Sequence, residues 1–367
     1  MIRVMRDLRN SYAIGLDIGS THVAAAQLTK KNNRTLIGGL FYRDLDPRQE
    51  NDDVLVSALT DIRRSGRFSG RRVVLSVPSK NLSIFPLHFR LDEALSLDDA
   101  ILAEAEKFLP FPLGEAIMDY PSLVGEVDGH PGSYKAVVAA MRRGDAERYM
   151  ALLREARLRV EAIDLSVSAL IRLHHYLCGV SPNPVILGYV GHSKSILVVF
   201  TGESIAIQRI IDWGSATLLE EFLKHMDIPD DRYKARAILK RYGLTYEHPG
   251  PTKAVEEEDP DAVAGRRAVY QIIAPHIDEF LHEMDKAISY ARVEERHPEF
   301  EGIYLYGQAT LVSSLDHYVE SRLNMKTRIL DPVEKMDVAS GGIVSDIPPD
   351  APLAVALGLA MRRVPWP

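Results

Sequence analysis

Apolar positions in the first part of the chain fall into two blocks on either side of a glycine turn. Ile14-Gly-Leu-Asp-Ile18 runs almost unbroken, Gly19-Ser-Thr21 interrupts it, and His22-Val-Ala-Ala-Ala-Gln-Leu28 resumes it. Two apolar runs hinged on glycine and small polar residues predict a β-hairpin. The pattern returns in Ile186-Leu-Gly-Tyr-Val-Gly-His-Ser-Lys-Ser-Ile-Leu-Val-Val-Phe200, so Gly191 answers Gly19. Two similar openings predict two similar lobes.

Between and after the hairpins, strand and helix patterns alternate. An alternating stretch spans Leu36 to Tyr42, a helix is predicted over Asp53 to Arg63, and a strand over Arg72 to Val77 closes at Pro78. Ser96 with Asp99 forms a capping box. The helix it opens places Leu97, Ile101, Leu102, Ala105, Phe108 and Leu109 on one face, and Pro110-Phe-Pro112 stops it. A long helix is predicted to open at Pro275, with Ile277, Phe280, Leu281, Met284, Ile288 and Ala291 in register. A strand follows at Gly302 to Tyr306, then a turn at Gly307-Gln-Ala-Thr310. The last helix, with Pro352 in its first turn, is apolar all round from Leu353 to Ala360 and should be buried. Alternation of this kind predicts an α/β protein.

With 367 residues, 46% apolar and 26% charged, the chain has enough material for two cores and the balance of a globular protein. A formal charge of −7 supplies no general attraction to nucleic acid or anionic lipid. The one cysteine, Cys178, excludes an internal disulfide and a cysteine-built zinc site, which fits a reducing cytoplasm. No apolar run approaches the roughly 20 residues that span a bilayer. Residues 1–10 read as a solvated terminus, and the acidic run Glu256 to Asp261 as an exposed insertion.

In Asp17-Ile-Gly-Ser-Thr21, the glycine lets backbone amides approach phosphate oxygens, the hydroxyls add donors, and the carboxylate orients Mg²⁺ through water. An ordinary tight hairpin has the same pattern. In the second hairpin the residue matching Asp17 is Tyr189, which lacks a carboxylate, although Gly191 and Ser193 remain. The adjacent His174 and His175 point to different sides of a helix and read as structural.

These residues resemble the actin, hexokinase and FtsA superfamily with its two phosphate loops, and within it the PilM family of pilus assembly proteins. Glu104-Ala-Glu-Lys-Phe-Leu-Pro-Phe-Pro-Leu113 is similar to that family's helix-to-Pro-Phe-Pro segment. Ala136-Val-Val-Ala-Ala-Met141, Val160-Glu-Ala-Ile-Asp-Leu165, Lys240-Arg-Tyr-Gly-Leu244, Ile303-Tyr-Leu-Tyr-Gly307 and Ala354-Val-Ala-Leu-Gly-Leu-Ala360 match in the family's order.

The resemblance implies a two-lobed actin-like (ribonuclease H-like) fold. Lobe one would cover residues 11–183, with a core of 11–85 and 160–183 and an inserted subdomain at 86–159. Lobe two would cover 184–350, with a core of 184–221 and 299–350 and a helical subdomain at 222–298. Residues 351–367 would form a helix packing back on lobe one.

It also implies ATP between the lobes, held by Asp17, Gly19, Ser20, Thr21, Gly191, Ser193, Lys240, Lys286 and Gly307, with Mg²⁺ at Asp17. Three departures weaken that site: Tyr189, Ala237 in place of a ribose-contacting glutamate, and Gln308 in place of a second glycine. ATP binding is expected to be weakened, hydrolysis is in question, and no catalytic residue is assigned. The implied partner is the cytoplasmic tail of a PilN-like inner-membrane protein, docked at Phe108, Pro110, Phe111 and Pro112. Pilus motor and platform proteins would assemble around it, with self-association left open. Alternatives on the same fold are a type II secretion component, an FtsA-like division protein and a small-molecule kinase.

Overall fold

The computed structural model describes residues 11–46, 51–90, 96–124, 132–226, 231–246, 260–295, 299–339, 347–348 and 351–364. The expected solvated terminus and most of the acidic run lie outside them. Strands β1 (Ile14–Ile18), β2 (His22–Lys31), β3 (Arg34–Asp44) and β4 (Arg72–Ser76) begin the first lobe. The chain then makes a small three-stranded sheet from β5 (Ser83–Arg90), β6 (Ala116–Val124) and β7 (Ser133–Arg142), ordered β5-β7-β6. It returns as β8 (Arg159–Ile163) to complete a five-stranded sheet ordered β3-β2-β1-β4-β8. The second lobe repeats this plan. Its strands are β9 (Val185–Val190), β10 (Ser195–Thr201), β11 (Ser204–Ile211), β12 (Gly302–Gly307) and β13 (Thr327–Ile329), ordered β11-β10-β9-β12-β13.

In each lobe an antiparallel meander continues into parallel strands, β1 against β4 and β9 against β12. The hairpin strands read as nearly continuous apolar runs because both sheet faces are covered. One face of the first sheet packs on the helix Asp52–Arg64 through Leu55, Ala58, Leu59 and Ile62. The other shares a core with the helices Ser166–Cys178 and Ala354–Ala360 and with Leu187, Tyr189, Phe200 and Tyr306 of the second sheet. Strand periodicity therefore turns Tyr189 toward the first lobe, while Ile186 and Val190 face the second lobe's helices.

The helix Ala354–Ala360 lies unusually close to its neighbours. A Cβ on Gly358 would stand 2.0 Å from the Ala169 carbonyl oxygen, and one on Gly15 2.0 Å from that of Ala356. Arg172 Nη2 and Arg362 Nη1 converge on Asp164 Oδ2 at 2.6 and 2.8 Å, tying the same helix down at its C-terminal end.

Two predicted boundaries are corrected. The long helix runs Pro260–Glu295, so Pro275 lies inside it instead of opening it. Val269 and Ile273 before the proline and Ile277 and Phe280 after it all bury into one core, and that burial outweighs the hydrogen bond the imide nitrogen cannot make. The capped helix ends at Ala105 instead of running on to the prolines. Lys107 and Phe108 donate to the carbonyls of Glu104 and Ala105 in tight turns, and Phe108 swings out to stack on Phe85 of β5 at 5.6 Å.

Candidate functional site

The two glycine hairpins meet tip to tip. Gly19 donates its amide to the His22 carbonyl at 2.9 Å, closing a turn that projects Ser20 into solvent. At the second tip, Gly191 has no room for a side chain, since a Cβ would lie 2.3 Å from the Lys194 carbonyl oxygen. The carbonyls of Gly191 and His192 accept the first amides of the helix Ser215–His225, from Ser215 at 3.0 Å and Ala216 at 2.8 Å. That helix's donors are therefore spent on bracing the loop. Ser20 Oγ and Ser193 Oγ approach to 3.5 Å, so two hydroxyls from two lobes converge. Gly307, with φ of 72°, sits against the second hairpin, where a Cβ would meet the Tyr189 ring at 2.8 Å.

Behind the tips lies a polar knot. Asp17, at the end of β1, is buried and receives His22 Nε2 at 3.3 Å. The His22 ring stacks on Tyr42 at 5.8 Å, and Tyr42 donates to Asp44 at 2.7 Å. From the opposite wall comes Tyr189, whose buried hydroxyl has no hydrogen-bond partner among the described residues. Burial, reinforced by the charge of Asp17 and then by Tyr42, pushes that phenol well above its ordinary value of 10.0, so it keeps its proton. Burial also holds the His192 imidazole down at about 4, aided by Arg232, Arg236 and His22 and opposed by Asp44.

Asp17, Gly19, Ser20, Thr21, Gly191, Ser193 and Gly307 are thus brought together. Lys240 and Lys286 are placed differently. Lys240 ends the exposed face of the helix Arg232–Arg241, where its carbonyl accepts from Ser313 Oγ. Lys286 is bound to Glu283 at 2.6 Å on the long helix. Gln308 is buried and bonded to Ser215, and with Val190 and Trp213 it lines a cavity of about 10 Å³, room for one water at most. His174 and His175 are buried in the seam between the lobes, His174 Nδ1 sharing a hydrogen bond of 3.0 Å with Tyr306 Oη. Sequence reasoning missed His22, Tyr42, His192, Arg232 and Arg236; the only available signal was the position of His22 directly beyond the Asp17–Thr21 motif.

A second candidate surface lies on the small sheet. Leu87, Phe89, Ala100, Ile101, Ala105 and Val138 form its core. Ser96 caps its helix, accepting from the Asp99 amide at 3.1 Å. Beside that closed core, Phe108 is 54% exposed, with Leu102 and Ile117 also exposed. Phe111 is half-buried beneath the Arg142 guanidinium, 5.0 Å from its ring centroid, while Pro110 and Pro112 are exposed.

A duplicated sheet with facing glycine hairpins defines an actin-like fold. Known structures share it. One described as a PilM-PilN type IV pilus biogenesis complex matches with a TM-score of 0.74 at 20% identity, covering 96% of this chain and 98% of that one. The ethanolamine utilization protein EutJ from Carboxydothermus hydrogenoformans matches at 0.52 and 12% identity, over 95% and 89%. MreB 5 of Spiroplasma citri bound to AMPPNP matches at 0.50 and 12%, over 89% and 94%. The chain belongs to the family of type IV pilus assembly protein PilM, whose model matches residues 15–364. Among the described residues no helix is long and apolar enough to cross a membrane.

Proposed function

We propose that this chain is a docking scaffold of a type IV pilus assembly machine. Its small sheet holds the cytoplasmic tail of a PilN-like inner-membrane protein, which keeps the scaffold at the inner membrane, where motor and platform proteins gather. The observation that carries the reading is the Phe85–Phe108 stack. It presents a large aromatic at the surface next to a core already complete without it, in a subdomain where Leu102 and Ile117 are also exposed. An exposed aromatic backed by a rigid partner is the kind of anchor that dominates binding energy. The family membership and the PilM-PilN structure supply the partner's identity. The lobe boundaries implied by the resemblance, 11–183, 184–350 and 351–367, belong to this proposal.

The hairpin cleft is proposed to hold a nucleotide, on the model of MreB 5, which binds AMPPNP. Ser20 and Ser193 converge as donors for a phosphate, and Gly307 lets the second hairpin pack directly against its strand at Tyr189. The Mg²⁺ expected at Asp17 does not suit these residues, because the carboxylate is engaged by His22 and faces a tyrosine. Lys240 and Lys286 are left as weaker candidates for nucleotide contact.

The test is a fluorescence titration of a labelled peptide, the cytoplasmic N-terminal segment of the neighbouring PilN-like protein, against the native chain and Phe108→Ala. The native chain is expected to bind, and the variant to lose about tenfold or more in affinity with its melting temperature unchanged. Equal binding by both would remove Phe108 from the interface and sink the placement.

A further inference from the structure

The end of the first sheet that points away from the hairpin tips is lined with cations. Strand register fixes the place. β1 runs antiparallel to β2 and parallel to β4, and β4 runs parallel to β8. The β2–β3 turn after Lys31, the start of β4 at Arg72 and the start of β8 at Arg159 therefore share one end. Gly19 lies at the other, as does Ser76, where the chain leaves β4 for the small sheet. Two helices also finish at the basic end: Asp52–Arg64, which feeds β4, and Arg143–Glu155, which feeds β8. Lys30, Lys31, Arg64, Arg71, Arg157 and Arg159 are exposed there and form no ion pair among the described residues. From β2 to β8 the row spans about 15 Å. Its members stand on strands closer together than the Debye length of about 10 Å, so their fields add. The acidic groups nearby are mostly engaged. Asp337 lies 3.9 Å from Arg34, Glu161 holds Arg72 and Arg363, and Asp61 holds Arg43, while Glu155 is exposed. A chain with a formal charge of −7 thus carries one concentrated positive face.

Cations in a last helical turn are ordinary, because they oppose the helix dipole, and that accounts for Arg63, Arg64 and Arg154. It does not account for the rest. Arg157 has φ of 60°, in the left-handed turn that closes the helix Arg143–Glu155 with the Leu158 amide on the Leu153 carbonyl at 2.8 Å. Glycine fits such a position without strain, and Gly66, with φ of 71°, takes it just past the helix Asp52–Arg64. An arginine held there against backbone preference, with its side chain exposed, points to a use for the charge. The turn that carries Arg71 is rigid as well. Buried Gln27 accepts from the Ser69 amide at 2.7 Å and donates to the Ser69 carbonyl at 2.8 Å. A Cβ on Gly39 would stand 2.2 Å from the Arg67 carbonyl oxygen, so strand and turn are in close contact. No large apolar side chain in 30–34, 63–72 or 154–159 is exposed. The face lacks the aromatic anchor that a protein or peptide partner would use.

We propose that this face rests on the anionic phospholipid headgroups of the membrane at which the chain works, charge against charge and without insertion. The proposal rests on the inner-membrane placement given above, which brings such a surface to the chain, and it adds a contact separate from the partner's tail. Exposed cations on a rigid end without an anchor match a layer of laterally mobile phosphates.

Cosedimentation of the full chain with vesicles of phosphatidylcholine alone, and with about 30% phosphatidylglycerol added, tests this without the partner. The native chain is expected to pellet with the anionic vesicles, to stay in solution with the neutral ones, and to be released as sodium chloride rises to about 0.5 M. Arg71→Ser/Arg157→Gly/Arg159→Ser is expected to weaken vesicle binding by about tenfold or more. Arg157→Gly alone separates charge from structure: its melting temperature should hold or rise, because glycine fits the turn, while vesicle binding falls. Equal binding to both vesicle types, binding to neither, or undiminished binding by the triple variant would overturn the proposal. So would capture of an added oligonucleotide but not of vesicles, which would assign the face to nucleic acid. The peptide titration uses no vesicles, so peptide binding without vesicle binding would overturn this proposal and leave the docking reading standing; vesicle binding without peptide binding would do the reverse.

Discussion

Acidification should loosen the seam between the lobes, because His174 has to be neutral there. The ring is 2% exposed and sits on the first lobe's helix Ser166–Cys178. It packs edge-on against Tyr304 at 4.5 Å and Phe200 at 5.8 Å, both of the second lobe. Burial, helped by neighbouring His175, holds its pKa at about 4 against an ordinary 6.5. A base depressed on folding takes up protons more readily when unfolded, so stability is lost as pH falls below about 6.5, and the loss is complete below about 4. At about 1.4 kcal/mol per pH unit, lowering pH from about 7.5 to about 5.5 costs about 1.3 kcal/mol at this residue alone. The assay is urea unfolding at both pH values, native against His174→Gln, which keeps a polar partner for Tyr306 but does not titrate. His192 titrates in both chains and cancels in the difference, so the difference reports His174 together with its coupling to His175. The native chain should lose about 1.3 kcal/mol more than the variant; equal losses would mean that His174 is hydrated or charged in the folded seam.

Three further outcomes follow from close contacts elsewhere. Gly358→Ala forces a Cβ to 2.0 Å from the Ala169 carbonyl and should cost about 3 kcal/mol or more, read as a large drop in melting temperature. Asp164→Asn leaves Arg172 and Arg362 facing a neutral amide; a loss of about 3 kcal/mol is expected, with earlier proteolysis at the C-terminal helix. Tyr189→Phe removes a buried hydroxyl that lacks a partner among the described residues, so stability should hold or rise; a clear loss would reveal a water or side chain bonded to it.

Much of the fold was legible because burial on both sheet faces leaves a strong mark. The run Ile14–Ile18 and its echo at Val185–Val190 became β1 and β9, and the repeated hairpins became equivalent sheets. The wholly apolar Ala354–Ala360 became the buried closing helix. Boundaries were lost where tertiary contacts overrode local preference. Pro275 reads as a helix start until Ile273 and Ile277 are seen to share a core, and the capped helix stops early because Phe108 has Phe85 to stack on.

At the site, the glycines and hydroxyls were readable from the motif, and Tyr189 from comparing the hairpins. His22 was not, because spacing alone does not show that a histidine beyond the turn will fold back on Asp17. Arg232 and Arg236 were hidden for another reason: their relation to His192 exists only after the second lobe has closed.

The central claim, that the small sheet docks the partner's tail, is tested most directly by hydrogen exchange on the full chain with and without the PilN-like peptide. Slowed exchange is predicted over residues 83–90 and 104–118, around Phe85, Phe108, Phe111 and Ile117, with residues 17–21 and 191–195 unaffected. Protection confined to the hairpin tips or to the second lobe, with 104–118 unchanged, would contradict the account.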